Sequence, residues 1–266
     1  MQFKTKASYN FEDLVEIMQV LRKECPWDKE QTHLSIRSNF LEETYEAIEA
    51  IDTNDPILLR EELGDVLLQV VFHSQMEAEV GTFNINDVCD GICKKLIYRH
   101  PHIFANFHAK TSDEVLSNWD ELKKKEKGHT TTADSMRSVS KSLPAMMRAT
   151  KVRKKAIKAG FDFCNGQDAL QKVQEELTET IEAYNGNGNL EEEIGDVFFS
   201  LINATLHLGF DPDKLLSATC DKFIDRFEYV ENGIISQNST IKDATDEQIM
   251  TLWNEKKTLE KSKTVD

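Results

Sequence analysis

Positive charge is scarce in this 266-residue chain: 32 Lys and Arg stand against 47 Asp and Glu, for a formal net charge of −15. Nucleic-acid backbones and anionic membrane surfaces are gripped through an excess of Lys and Arg, so neither is an expected partner. A polyanionic small molecule fits only where local cations or a metal ion override the overall field. Long apolar runs are missing too. The longest, residues 66–72, is broken by Gln69, and residues 1–6 lead into no apolar core, so neither a membrane span nor a signal peptide is expected. No Gly-rich phosphate loop follows an apolar run, and neither half shows strand alternation. The five cysteines, Cys25, Cys89, Cys93, Cys164 and Cys220, are odd in number and scattered. Cys89 and Cys93 lie one helical turn apart, but no CxxC or paired His completes a zinc set. Reduced thiols in a cytoplasmic chain are the expectation.

What the chain has in abundance is helical periodicity. Leu14, Ile17, Met18 and Leu21 place a helix over residues 11–23, broken at Cys25-Pro26-Trp27-Asp28. The next runs over 32–51 and carries Glu42-Glu43-x-x-Glu46. Asp55 as N-cap and Pro56 as first helical residue open a helix over 57–79, which contains Glu61-Glu62-Leu63-Gly64-Asp65 and then the apolar run. Apolar residues all round predict that this run is buried on every side, in a bundle core or a dimer interface. Helices over 86–99, stopped by Pro101, and over 112–127 put Lys95 with Arg99, and Trp119 with Lys123, on shared faces. Residues 128–141, rich in Thr and Ser and poor in apolar side chains, read as a linker.

After the linker the pattern starts again. Glu42-Glu43-x-x-Glu46 returns as Glu175-Glu176-x-x-Glu179, and Glu62-x-Gly64-Asp65 as Glu193-x-Gly195-Asp196. Lys95/Arg99 returns as Lys222/Arg226, and Trp119/Lys123 as Trp253/Lys257. The order is kept, with offsets of 133, 131, 127 and 134 residues. The chain is therefore read as a tandem duplication: an all-α fold of two homologous helical domains, 1–127 and 142–266, joined by the linker.

On a helix, residues three apart share a face, so Glu176 with Glu179, and Glu193 with Asp196, each present two carboxylates to one side. Folding the two helices together through the turn at 184–189 gathers four acids. Four such charges repel unless a cation joins them, and oxygen-only ligands suit a hard ion, Mg²⁺ or Mn²⁺. A lone ExxE on a solvated helix face carries no such meaning; the paired arrangement does. Gly64 and Gly195 sit in good helix at a cost of about 1 kcal/mol relative to Ala, which points to a close approach there by backbone or ligand, whether for tight helix packing or for binding. Taken singly, Lys95/Arg99 and Lys222/Arg226 read as exposed cations, and Trp119 and Trp253 as core. Following an acidic cluster in both copies, they read as phosphate contacts and a nucleotide edge. His100 and His102, around Pro101, occur only in the first copy and read as a helix end.

These motifs, with His100-Pro101-His102-Ile103-Phe104 and Gly160-Phe161-Asp162-Phe163, resemble the MazG family, the tandem-domain nucleoside triphosphate pyrophosphohydrolases of bacteria, over residues 11–257. The resemblance implies helix bundles completed by homodimerisation, Mg²⁺ dependence, and hydrolysis of NTPs or dNTPs to monophosphate and pyrophosphate. It implies that the second copy is the active one. Glu176, Glu179, Glu193 and Asp196 would then be metal ligands, with Lys172, Glu175, Glu192, Lys222, Arg226, Trp253 and Lys257 around the nucleotide. The first copy keeps Glu43, Glu46, Glu62 and Asp65, together with Lys95, Arg99, Trp119 and Lys123. The expected chemistry is water attacking the α-phosphorus, with Glu175 or Glu192 taking its proton. The competing expectation is a helical dimer that binds a metal-nucleotide without turning it over.

Overall fold

Every regular element in a computed structural model of the chain is a helix, and no strand occurs among the described residues, 4–105, 111–126, 128 and 130–263. The fold is all-α. Lys127, the expected end of the first domain, lies outside the described residues, as do residues 1–3, 106–110 and 264–266 of the expected domains and residue 129 of the linker. The chain divides into two compact units, Met1–Lys123 and Lys124–Asp266.

In the first unit, α1 (Phe11–Glu24) is opened by a capping box in which Asn10 and Asp13 each accept the other's backbone N–H. A short 3₁₀ turn (Asp28–Glu30) follows, then α2 (Arg37–Asp52), α3 (Pro56–Val80), α4 (Ile85–Arg99), α5 (Pro101–Phe104) and α6 (Ser112–Glu126), the helix in which the division falls. Helix α2 starts five residues later than the periodicity predicts. Thr32 and Ser35 accept each other's backbone N–H at 3.2 and 2.9 Å, a local turn that competes with the helix. Asp55 caps α3 as expected, accepting from Ile57 and Leu58. Pro101 ends α4 and also begins α5, since its missing N–H costs nothing at a first helical position. Met18, Ile36, Val71, Phe72 and Met76 form the buried core between α1 and α3. Within this chain the apolar run of α3 is not buried on every side: Leu67 is 39% exposed and the preceding Leu63 53%.

The second unit contains α7 (Thr132–Arg137), α8 (Ala145–Lys158), α9 (Gly166–Tyr184), α10 (Leu190–His207), α11 (Pro212–Ser236) and α12 (Asp246–Lys263). Helix α7 lies inside the segment read as linker. A Thr131/Asp134 capping box starts it and it packs on α8, so capping outweighs the shortage of apolar residues there. Helices α9 and α10 form an antiparallel hairpin whose turn depends on Gly186 (φ 97°) and Gly188 (φ 138°), conformations closed to most L-residues. Buried small residues, Ala169 and Ala183 on α9 and Ser200 and Ala204 on α10, mark the faces of these helices that are turned inward. Helix α10 packs on α8, and α11 packs on α8 and α12, over Ala156, Ile202, Val230 and Ile234.

Candidate functional site

The α9–α10 hairpin brings Glu176, Glu193 and Asp196 together: one carboxylate oxygen from each lies within 4.8 Å of the others. Glu176 is the buried member, 8% exposed. Glu193 stands in the first turn of α10 beside Glu191 and Glu192, where the helix's free N–H groups favour negative charge. Glu179 adjoins this trio without entering it. Burial, and then the charge of Glu176, push its carboxyl above the usual carboxylate range. Among the described residues, the cation paired with the cluster is Lys172, whose Nζ lies 2.6 Å from Glu175 Oε1 and 2.8 Å from Glu176 Oε1. Those two carboxylates, Glu175 first, hold its ammonium well above the ordinary lysine value. Glu192 receives a 3.4 Å contact from Asn189 Nδ2.

The first unit repeats the arrangement with a different trio. Oxygens of Glu43, Glu46 and Glu62 lie within 4.8 Å of one another, and Asp65 adjoins them. Burial raises the carboxyls of Glu43 and Glu62; Asp65 adds most to the shift at Glu43, and Glu46 to that at Glu62. Both clusters offer oxygen donors only, two helices each, with more negative charge than the local cations balance. The donor chemistry fits a hard divalent ion.

The expected phosphate and base contacts are gathered elsewhere in their unit, on α11 and α12. Arg226 donates from Nε and Nη2 to Glu260 Oε2, at 2.9 and 2.6 Å, and its guanidinium lies 5.6 Å from the Trp253 ring centroid. Arg226 is thus bound to a carboxylate that the sequence reading did not include, and Arg226 in turn holds Glu260 below the usual carboxylate range. Phe223 packs on Trp253, Lys222 is exposed and Lys257 is half-buried. Among the described residues, no ion pair joins Lys222, Arg226 or Lys257 to the four acids. The first unit repeats the stacking: Arg99, 7% exposed, lies 5.6 Å from the Trp119 ring, which His100 meets edge-on. Lys95 is exposed and Lys123 half-buried. Glu126 and Glu260 are 134 residues apart, the offset of Trp119 and Trp253, and that shared spacing was the available sign of Glu260.

A second feature escapes motif reading. Arg22 and Arg153 are 131 residues apart, the offset of Glu62 and Glu193. Arg22 donates to the carbonyls of Asp28 and Gln31 and pairs with Glu79; Arg153 donates to the Phe161 carbonyl and pairs with Asp162 at 2.6 Å. Each ties the loop before the acidic hairpin to a core helix. Gly64 and Gly195 do not serve tight packing within the chain, because a Cβ at either meets no atom within 4 Å.

A profile of the MazG nucleotide pyrophosphohydrolase domain matches the chain twice, over residues 31–104 and 165–231. The chain is similar to a nucleoside triphosphate pyrophosphohydrolase of Escherichia coli (strain K12), 39% identical over 251 residues that cover 92% of this chain and 95% of the relative. It is similar to the nucleoside triphosphate pyrophosphohydrolase/pyrophosphatase MazG of Thermotoga maritima, 37% identical over 254 residues, 95% of this chain and 97% of the relative. A nucleoside triphosphate pyrophosphohydrolase of Mycolicibacterium smegmatis is 43% identical over 151 residues, 56% of this chain and 46% of its own length.

Proposed function

The chain belongs to the MazG nucleotide pyrophosphohydrolase family, and from that premise we propose that it hydrolyses NTPs and dNTPs to the monophosphate and pyrophosphate. The observation that carries the proposal is the convergence of Glu176, Glu193 and Asp196 from two helices, with Glu179 beside them. These residues would hold Mg²⁺ or Mn²⁺. When bound, such an ion supplies an activated water and polarises phosphoryl oxygens.

The remaining tasks fall to the chain's own side chains. The water's proton goes to Glu192 or Glu175. Glu175 already carries Lys172 at 2.6 Å, whereas among the described residues Glu192 has the 3.4 Å contact with Asn189 and no ion pair, which favours Glu192 as acceptor. Lys222, Lys257 and Arg226 meet the charge that grows on the departing pyrophosphate. Glu260 takes Arg226 Nε and Nη2 and leaves Nη1 for a phosphoryl oxygen, in an orientation fixed by Trp253. Trp253 offers a face to a base.

Assembly as a homodimer is part of the same proposal. Leu177, Ile181 and Tyr184 of α9, and Ile194, Phe198 and Leu201 of α10, recur at helical spacing and are between 42% and 77% exposed. Stripes of that size on adjoining helices suit burial against a second copy. No helix among the described residues is long and apolar enough to cross a membrane. The five unpaired cysteines suit a reducing compartment, so the cytoplasm is the proposed location.

Replacing Glu176 or Asp196 by Ala is expected to abolish pyrophosphate release while the far-ultraviolet circular dichroism stays helical. Turnover that survives both changes at saturating Mg²⁺ refutes the site. Chromatography of ATP or dGTP incubated with protein and Mg²⁺ separates hydrolysis from the alternative, a dimer that binds a metal-nucleotide and releases no product.

A further inference from the structure

Among the described residues, the two acidic hairpins differ in the cation that pairs with their acids. Glu42, Glu43 and Glu46 stand 133 residues before Glu175, Glu176 and Glu179, and at that offset Lys172 corresponds to Asn39. Lys172 precedes Glu175 and Glu176 by three and four residues on α9, so the helix itself delivers its ammonium to both carboxylates, at 2.6 and 2.8 Å. Glu176 is also the residue through which α9 contributes to the trio with Glu193 and Asp196. An ammonium on Glu176 and a divalent ion in the trio seek the same carboxylate, and each raises the energy of the other at this distance.

Among its described residues, the first unit shows no such competitor. Asn39 is neutral, and its Oδ1 takes a hydrogen bond from Ser38 Oγ at 3.3 Å. Glu62 is 9% exposed, and among the described residues no basic side chain pairs with Glu43, Glu46, Glu62 or Asp65. A buried carboxylate among three others, with no basic side chain paired to it among the described residues, is a stronger demand for an external cation than the second unit makes.

We propose that Lys172 is an internal counter-ion that makes cation loading of the second unit depend on an incoming triphosphate, whereas the first unit, with Asn39 in that place, takes a divalent cation with no nucleotide present. A triphosphate gives Lys172 other oxygens to bind and frees Glu176 for the ion. Lys172 is here a positioning residue. The inference rests on the proposed function, in which these acids hold the metal.

The test uses the whole chain and Mn²⁺ as the probe, with bound and free ion counted by electron paramagnetic resonance. Without nucleotide, the tight binding is expected to vanish in Glu43→Gln/Glu62→Gln and to persist in Glu176→Gln/Glu193→Gln. Lys172→Asn should tighten the second unit's site by about tenfold or more, and Asn39→Lys should weaken the first by a similar factor. Lys172→Arg should bind as the unaltered chain does, and circular dichroism checks that each variant is folded. A non-hydrolysable α,β-methylene triphosphate should load the second unit of the unaltered chain. If Mn²⁺ fills both units equally without nucleotide, or Lys172→Asn changes nothing while the analogue still loads residues 176, 193 and 196, the counter-ion role is wrong and the metal site stands. If those residues take no Mn²⁺ even with the analogue or in Lys172→Asn, the proposed function falls as well.

Discussion

Arg153 lies on α8 with 4% of its surface exposed, yet its guanidinium supports both the Phe161 carbonyl and the Asp162 carboxylate. Burial alone would raise the Asp162 carboxyl, but the Phe163 N–H, His207 and Arg153 together hold it below the usual range. Removing the arginine leaves those oxygens short of a donor, so Arg153→Ala should cost about 2–3 kcal/mol, seen as a lower urea midpoint with an unchanged slope. The acids of the cluster behave in the opposite sense. Glu179 holds its proton more tightly in the fold than in the unfolded chain. Its penalty is therefore absent below the ordinary carboxylate range and complete above the raised value, and stability falls as pH rises through that window. In a chelating buffer, Glu179→Gln should raise the melting temperature at neutral pH and leave it unchanged in strong acid; a gain confined to acid would contradict this. The pairing of acids on each helix face was legible because i, i+3 spacing is local. Arg153 and Glu260 were not, because each finds its partner 9 and 34 residues away.

The hairpins of α2–α3 and α9–α10 were legible at the level of elements, from caps, turns and periodicity. Boundaries departed from the reading where short polar side chains rebuilt them, at Thr32 and Ser35 before α2 and at Thr131 and Asp134 before α7. Within α10, Gly195 is the weak point of an otherwise strong helix, and a methyl group there meets nothing within 4 Å. Gly195→Ala should therefore stabilise the chain by up to about 1 kcal/mol in thermal or urea unfolding. The same change should reduce pyrophosphate release if substrate or a second copy approaches that backbone. Loss of stability would instead show that the helix packs there.

At the scale of the whole molecule, the exposed apolar stripes on α9 and α10 give the dimer proposal its sharpest test. Phe198 is 65% exposed, so Phe198→Asp places a charge on the stripe without disturbing the core of its own unit. Sedimentation velocity should show a dimer for the unaltered chain and a monomer for the variant; a monomer in both cases removes the dimer. By itself the sequence determined the helical class of the fold, its duplication and the pairing of acids on each helix face, because all three follow from periods of three to four residues and from a repeat in order. Only tertiary structure decided which three acids meet in each unit, that Lys172 rests on one cluster while no described cation pairs with the other, and that Arg226 and Arg99 stack on tryptophans. Those outcomes depend on how one helix is rotated against the next, and many sequences that share a periodicity differ in that rotation.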